Sequence, residues 1–437
     1  MGATDMRTRL CLFVTVLLAL LAFSSSGAAL DFSGQSRSYL QSRESSDASK
    51  LMPFFEYLDF KAEDIGSQNV SFHFGGWLRY DLREPSAADQ NRNNSDLQYA
   101  YLRIKGNQAN AAVDLGRVLV NEGVASEQID GAYVRTSLVA GFGIAAFGGI
   151  PVETTFDDRS GDSVYGGRIS HSVQDVYRIG FSYLKEQNGK ELFNGKDVSK
   201  NFREEEGGDL WLRPLNSVEL IGSSSYNAIT AAWMKHAYYL TLGPFSNLSF
   251  RTEFTEISYK DFFTSATTTT FIFDPTIIDP KEKVSTVGEE VVLNLGSTTL
   301  SADYKNYNYK IAGDANYYGG RLTFATVPQN IAAGLSFHKM DGKTDALRYK
   351  EYRLYGYKKF TTADITVDLF AVEYDVEING VKTAYSASLA GGYALSARAR
   401  LAADIEYSKD PFFNKDVKGL VKFVYNFEMM SSAQGRK

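Results

Sequence analysis

Four histidines, His73, His171, His236 and His338, are the first candidates for chemistry. No two stand at i, i+2 or i+4, the spacings that set two imidazoles on one face of a strand or helix. A metal site built from them would need long-range convergence. The single cysteine, Cys11, lies at the start of an N-terminal apolar run. After it there is no thiolate ligand, no disulfide partner and no C-x-x-C-H for covalent haem. A lipid hydrolase would need a serine paired with a histidine. Ser170 and His171 are neighbours, and neighbours in a strand point to opposite faces. The glycine pairs Gly75–Gly76, Gly148–Gly149, Gly166–Gly167, Gly319–Gly320 and Gly391–Gly392 do not precede helical patterns. They fit strand kinks or close backbone approaches, not phosphate loops. No catalytic, metal or cofactor constellation emerges, and the expectation is a protein that is not an enzyme.

The remaining chemistry is charge, placed at alternate positions by strands. Val417–Phe427 reads V-K-G-L-V-K-F-V-Y-N-F, with Val421, Phe423, Tyr425 and Phe427 on one face and Lys422 and Asn426 on the other. This is the pattern of a strand with one face in lipid and the other in water. It recurs in Val70–Leu82, Tyr177–Tyr183, Leu248–Phe254, Ile331–Phe337, Ile365–Ala371 and Ala397–Tyr407. A slip of one residue would carry the charges into lipid, so register is firmly specified. The parity turns Arg79, Arg103, Arg135, Arg178, Arg251, Arg321, Arg398 and Arg400 inward, with Glu253, Asp303, Asp368 and Asp404. These are the expected pore-lining residues. Their simplest role is to solvate and cross-brace an inner wall; a second is to screen ions and small solutes.

The fold class is therefore all-β, a transmembrane antiparallel barrel. No segment after the N-terminal run is apolar enough to span as a helix, yet the chain holds 27 Tyr and 29 Phe. Aromatic rings favour membrane interfaces, and lumen residues dilute a barrel's hydropathy, so a mean hydropathy of −0.24 is compatible with insertion. Residues 1–29 have the form of a signal peptide: Arg7 and Arg9, the apolar run Leu10–Phe23, then small residues to Ala29. The formal net charge is −6, and losing Arg7, Arg9 and Asp5 makes it one unit more negative. That balance argues against nucleic acid as a partner.

Short turns are expected near Gly106–Ala109, Val139–Gly141, Pro214–Ser217, Gly243–Ser246, Gly296–Ser297, Pro328–Asn330, Thr361–Ala363 and Leu395–Ser396. Longer polar segments lie between them: Glu84–Ser95, Asn121–Gln128, Gly149–Ser163, Asn188–Gly207 and Phe263–Val284. Short connections on one side and long ones on the other match outer-membrane topology. The pattern gives about twenty strands after Asn69. Residues 30–69 add a segment of further strands or a plug, and residues 70–437 form the barrel. The overall expectation is roughly 20 strands, within 18–22.

One stretch departs from plain alternation. In Leu115–Arg135, Arg117 shares parity with the apolar Ala111, Val113 and Leu115. It must lie beyond the lipid band or follow a bulge. A hairpin carrying Arg117, Glu122, Asp130 and Arg135 is expected to form a salt-bridged, charged rim. Together with F-H-F-G-G-W-L-R at Phe72–Arg79 and A-Y-L-R at Ala100–Arg103, this stretch resembles the porin-like outer-membrane barrels of dissimilatory metal-reducing bacteria. The resemblance covers the N-terminal third by motif and the rest by strand pattern. The favoured role, read from the charged inner wall, is a channel for ions and small solutes; the resemblance adds an alternative, the barrel sheath of a porin–cytochrome conduit. The partners that follow are outer-membrane lipid, with a multihaem cytochrome or further copies of the chain. The expected location is the outer membrane of a Gram-negative bacterium.

Overall fold

In the computed structural model the described residues are 31–44, 50–83, 92–106, 110–152, 162–187, 201–261, 279, 281–412 and 415–429. The expected signal peptide, most of the long polar segments and the C-terminal tail lie outside them. The strands are β1 Asp31–Glu44, β2 Lys50–Leu51, β3 Pro53–Glu63, β4 Val70–Asp81, β5 Asn93–Lys105, β6 Ala111–Glu122, β7 Ala125–Ser137 and β8 Phe142–Pro151. Next come β9 Ser163–Val173, β10 Tyr177–Gln187, β11 Asn201–Leu215, β12 Val218–Asn227, β13 Ala232–Phe245, β14 Leu248–Ser258, β15 Lys283–Leu295 and β16 Thr298–Tyr309. The last are β17 Gly313–Thr326, β18 Ile331–Gly342, β19 Arg348–Lys359, β20 Ala363–Ile378, β21 Val381–Ala394, β22 Ala399–Lys409 and β23 Asp416–Met429.

Each long strand pairs antiparallel with the next. The sheet closes where β1 meets both β3 and β23, the latter from Phe32↔Met429 to Ser42↔Gly419. The two-residue β2 only extends the edge of β1. Closure satisfies every edge, as a wall immersed in hydrocarbon requires. The barrel has 22 strands, against an expectation of about twenty. The additional two are β1 and β3. On β1 the outward face carries Gly34, Ser36 and Ser38, and both serines donate to Glu56 of β3. That face lacks the apolar alternation that marks the other strands.

Elsewhere the outward face is apolar and exposed: Val421, Phe423, Leu401, Ile405, Leu389, Leu369, Leu354 and Leu335 form a band across β18 to β23. In water such a band would be an aggregation surface; around a barrel it is the lipid contact. Turns at the end holding both described chain ends are short. At the opposite end β20 and β21 join through Asn379–Gly380, both with positive φ (48° and 76°), a turn whose twist matches that of the strands.

Candidate functional site on the inner wall

All the expected pore-lining residues except Arg398 lie on strands, at positions sharing the inward parity. Arg398 sits in the turn before β22, where its carbonyl accepts from the Asn426 N–H. Most of the others are paired. Arg79 lies 3.3 Å from Asp81. Arg103 grips Asp114 through two hydrogen bonds of 2.6 and 2.8 Å, and Arg135 lies 3.9 Å from the same carboxylate. Arg251 meets Glu290 at 3.0 Å, and Asp368 takes a fork from Arg353. Arg321 stands between Ser301 and Ser336, Asp404 between Ala390 and Leu420, and Arg178 between Ser172 and Trp211. The solvent-exposed pairs among these, Arg251–Glu290 and Arg353–Asp368, contribute about 0–1 kcal/mol each to stability, whereas Asp81 and Asp114 are buried.

Several pairs skip a strand, and a glycine lies beneath each. Two strands over is about 10 Å, a reach that two side chains manage only if nothing projects between them. Glu253 reaches Lys305 (2.7 Å) over Gly288, where a methyl group would come within 2.7 Å of Glu253 Cγ. Asp303 reaches the His338 ring (3.0 Å) over Gly319, and Tyr99 Oη donates to Asp59 (3.0 Å) over Gly75. Arg168 reaches Asp209 over Gly180, and Arg400 reaches Asp364 over Gly392. The arrangement hoops the inner wall in the direction around the barrel. Sequence parity turns Glu253, Asp303 and Arg400 to the face on which these pairs form. It missed Arg37, which binds Asp59, and the pair Arg168–Asp209. For Arg168–Asp209 the available signal was Gly180, a lone glycine inside an otherwise regular strand.

The expected charged rim at Leu115–Arg135 does not form. β5 and β6 pair only from Ala100↔Arg117 to Lys105↔Ala112, whereas β6 and β7 continue to Glu122↔Ala125. The hairpin bends inward at the opposed glycines Gly116 and Gly131, with β7 still paired to β8 as far as Ile129↔Pro151. Gly116 has φ 127°, a conformation closed to side chains with Cβ. At Gly131 a Cβ would meet the Gly149 Cα at 2.6 Å. The hairpin then folds into the lumen and lies across the inner faces of β8 to β11. Val118, Val120, Ala125 and Ile129 pack on Ala145, Phe147, Val164 and Leu184, all buried. This explains Arg117: past the bend its face no longer points to lipid. It forks onto Asp130 (2.7 and 2.8 Å) and donates to the Leu97 carbonyl of β5 (2.9 Å).

Polar contacts pin the hairpin tip. The Val124 N–H donates to Ser182 Oγ (2.9 Å), and Gly207 leaves room for the Val124 side chain. Arg203 of β11, buried to 8% exposure, binds Glu127 of the hairpin and Glu205 of its own strand, and donates to the Val124 carbonyl. Glu122 takes Tyr133 Oη and lies 3.7 Å from Arg168. The hairpin's other face meets the lumen, with Asn121 and Ser126 exposed and Leu119 60% exposed.

No family model matches the sequence, and no curated protein matches it. Solved structures do. The siderophore receptor PirA from Pseudomonas aeruginosa matches with a TM-score of 0.55 at 10% identity, covering 91% of this chain and 80% of that one. A mutant of the ferric enterobactin receptor PfeA from the same organism gives 0.55 at 8%, covering 92% and 81%. OccAB4 from Acinetobacter baumannii covers 92% and 98% at 11% identity, with a TM-score of 0.45. At these identities the likeness to the two receptors shows the fold alone: this chain shares their closed antiparallel barrel.

Proposed function

We propose that the protein is an outer-membrane channel of a Gram-negative bacterium, passing ions and small solutes through a water-filled lumen that the β6–β7 hairpin narrows from one side. The observation that carries this reading is the exposure of inward-facing charge. The side chains of Arg251 and Arg353 point into a closed barrel, yet they are 57% and 51% exposed. That much free surface means that the wall's described side chains do not fill the lumen, which leaves it room for solvent. Arg79, Arg103, Arg135, Arg178, Arg251, Arg321, Arg400, Glu253, Asp303, Asp368 and Asp404 line that solvent, and their mixed signs set transverse fields in it.

A second reading, the sheath of a porin–cytochrome conduit, is favoured by width. Twenty-two tilted strands enclose, if round, roughly 40 Å from backbone to backbone and roughly 30 Å between facing side chains. The β6–β7 hairpin is too small to fill that space, which would admit a folded guest. Planar-bilayer recording with the purified protein separates the two. Discrete conductance steps from the barrel alone support the channel. A silent barrel that transfers electrons only beside a multihaem cytochrome supports the sheath.

A further inference from the structure

One row of the inner wall sets rings beside an uncommitted cation. Arg178, Trp211, Ile221 and Tyr239 stand directly opposite one another on β10, β11, β12 and β13. Ile221 and Tyr239 are 46% and 39% exposed on the inward face. In the next row the side chains are small: Ser223 opposes Ala237. The step from large to small leaves a depression of about 440 Å³, bounded by Trp211, Ile221 and Tyr239 along one side and by Lys235 at the other.

The charges around it are unequal in their engagement. Asp209, at one edge, is already held by Arg168. Glu219 accepts the Trp211 indole N–H at 2.7 Å, which fixes the ring. Glu253, opposite Tyr239, is held by Lys305. Among the described residues, neither Arg178 nor Lys235 has a carboxylate partner, and both are exposed. The depression therefore offers ring surfaces over a shallow floor, with two uncommitted cations at its margins.

We infer that this depression is a binding site for aromatic monocarboxylates in transit, the ring seated over Ser223 and Ala237 against Trp211 and Tyr239 and the carboxylate met by Arg178 or Lys235. This deepens the channel reading and rests on it for the word transit; binding itself does not depend on conduction. Aromatic faces take a planar ring in offset or edge contacts, and a guanidinium takes a carboxylate in its fork. A simple anion would gain only the charge, and a neutral ring only the contact.

The test uses the full chain folded in detergent, with Trp77→Phe and Trp233→Phe so that Trp211 is the sole indole emitter. Benzoate is the probe; acetate and benzyl alcohol are the controls. The proposal expects saturable quenching of Trp211 by benzoate, with both controls at least several-fold weaker. The double variant Arg178→Gln/Lys235→Gln should lose roughly tenfold in affinity, equivalent to about 1.4 kcal/mol. Ser223→Phe, which fills the depression and leaves the cations in place, should abolish saturation. Equal binding of acetate, or benzoate binding untouched by both variants, overturns the site. Benzoate binding to a barrel that conducts no ions would keep the site and overturn the channel.

Discussion

Arg203→Ala should loosen the inner hairpin. Arg203 is the buried cation between Glu127 on the hairpin and Glu205 on the wall. Its removal leaves two carboxylates facing each other, with Glu186, also fully buried, close by. Breaking a buried pair by deleting one partner costs about 3–5 kcal/mol, because the other charge stays desolvated. Against this stands the apolar seat. Val118, Val120 and Ile129 are each at most 2% exposed, and burying such side chains contributes about 1.5–3 kcal/mol apiece. The hairpin should then stay mostly docked but open far more often. A loss of 3 kcal/mol raises the opening constant roughly 150-fold. The chain has no cysteine beyond Cys11, so Val120→Cys gives a clean reporter at a position 1% exposed. Maleimide labelling of that thiol should be slow in the parent and at least tens of times faster with Arg203→Ala. Heat-modifiable gel migration should be retained, showing that the wall is intact. Labelling within twofold of the parent would refute the argument that the charge cluster latches the hairpin.

Further outcomes follow from the wall. Phe423→Arg should cut membrane yield far more than Lys422→Ala: Phe423 belongs to the exposed apolar band, where an Arg at mid-membrane costs roughly 2–4 kcal/mol, while Lys422 turns inward over the Tyr39 ring. Equal yields would mean the register of β23 is wrong. Gly392→Val should sever Arg400 from Asp364, because Arg400 crosses the space a side chain would take. Ion selectivity should shift, and the shift should resemble that of Asp364→Asn, with little loss of stability. Unchanged selectivity in both would remove this pair from the ion path.

Much of the barrel was legible in the sequence because a lipid-facing strand must alternate. Val421, Phe423 and Tyr425 have no other arrangement that keeps Lys422 wet. The strands after Asn69 announce themselves in this way. β1 does not, because Ser36 and Ser38 occupy its outward positions and satisfy Glu56 instead of meeting lipid. Alternation assigns a face but not a partner: it turned Arg400 and Glu253 inward, yet nothing local reveals that Asp364 and Lys305 lie two strands away. The glycines between them were visible only as irregularities. The misplacement of Leu115–Arg135 has a related cause. Its polar residues looked like an outer loop, whereas Val118, Val120 and Ile129 are apolar because they face the wall from inside. Parity alone cannot tell a face turned to lipid from one folded onto a lumen. The mismatch at Arg117 marked the place, and the Gly116–Gly131 bend supplies the reason.

The most direct test of the account is single-channel conductance of the parent beside a variant in which residues 118–129 are replaced by a two-glycine link. The hairpin lies as a second layer about 10 Å thick over four strands, or roughly a quarter to a third of a lumen some 30 Å across. The account predicts steps from both proteins, larger in the variant by roughly a third to a half, the gain when a quarter to a third of the section is cleared. A parent that conducts nothing, or a variant whose steps equal the parent's, would contradict a water-filled lumen narrowed by the folded hairpin.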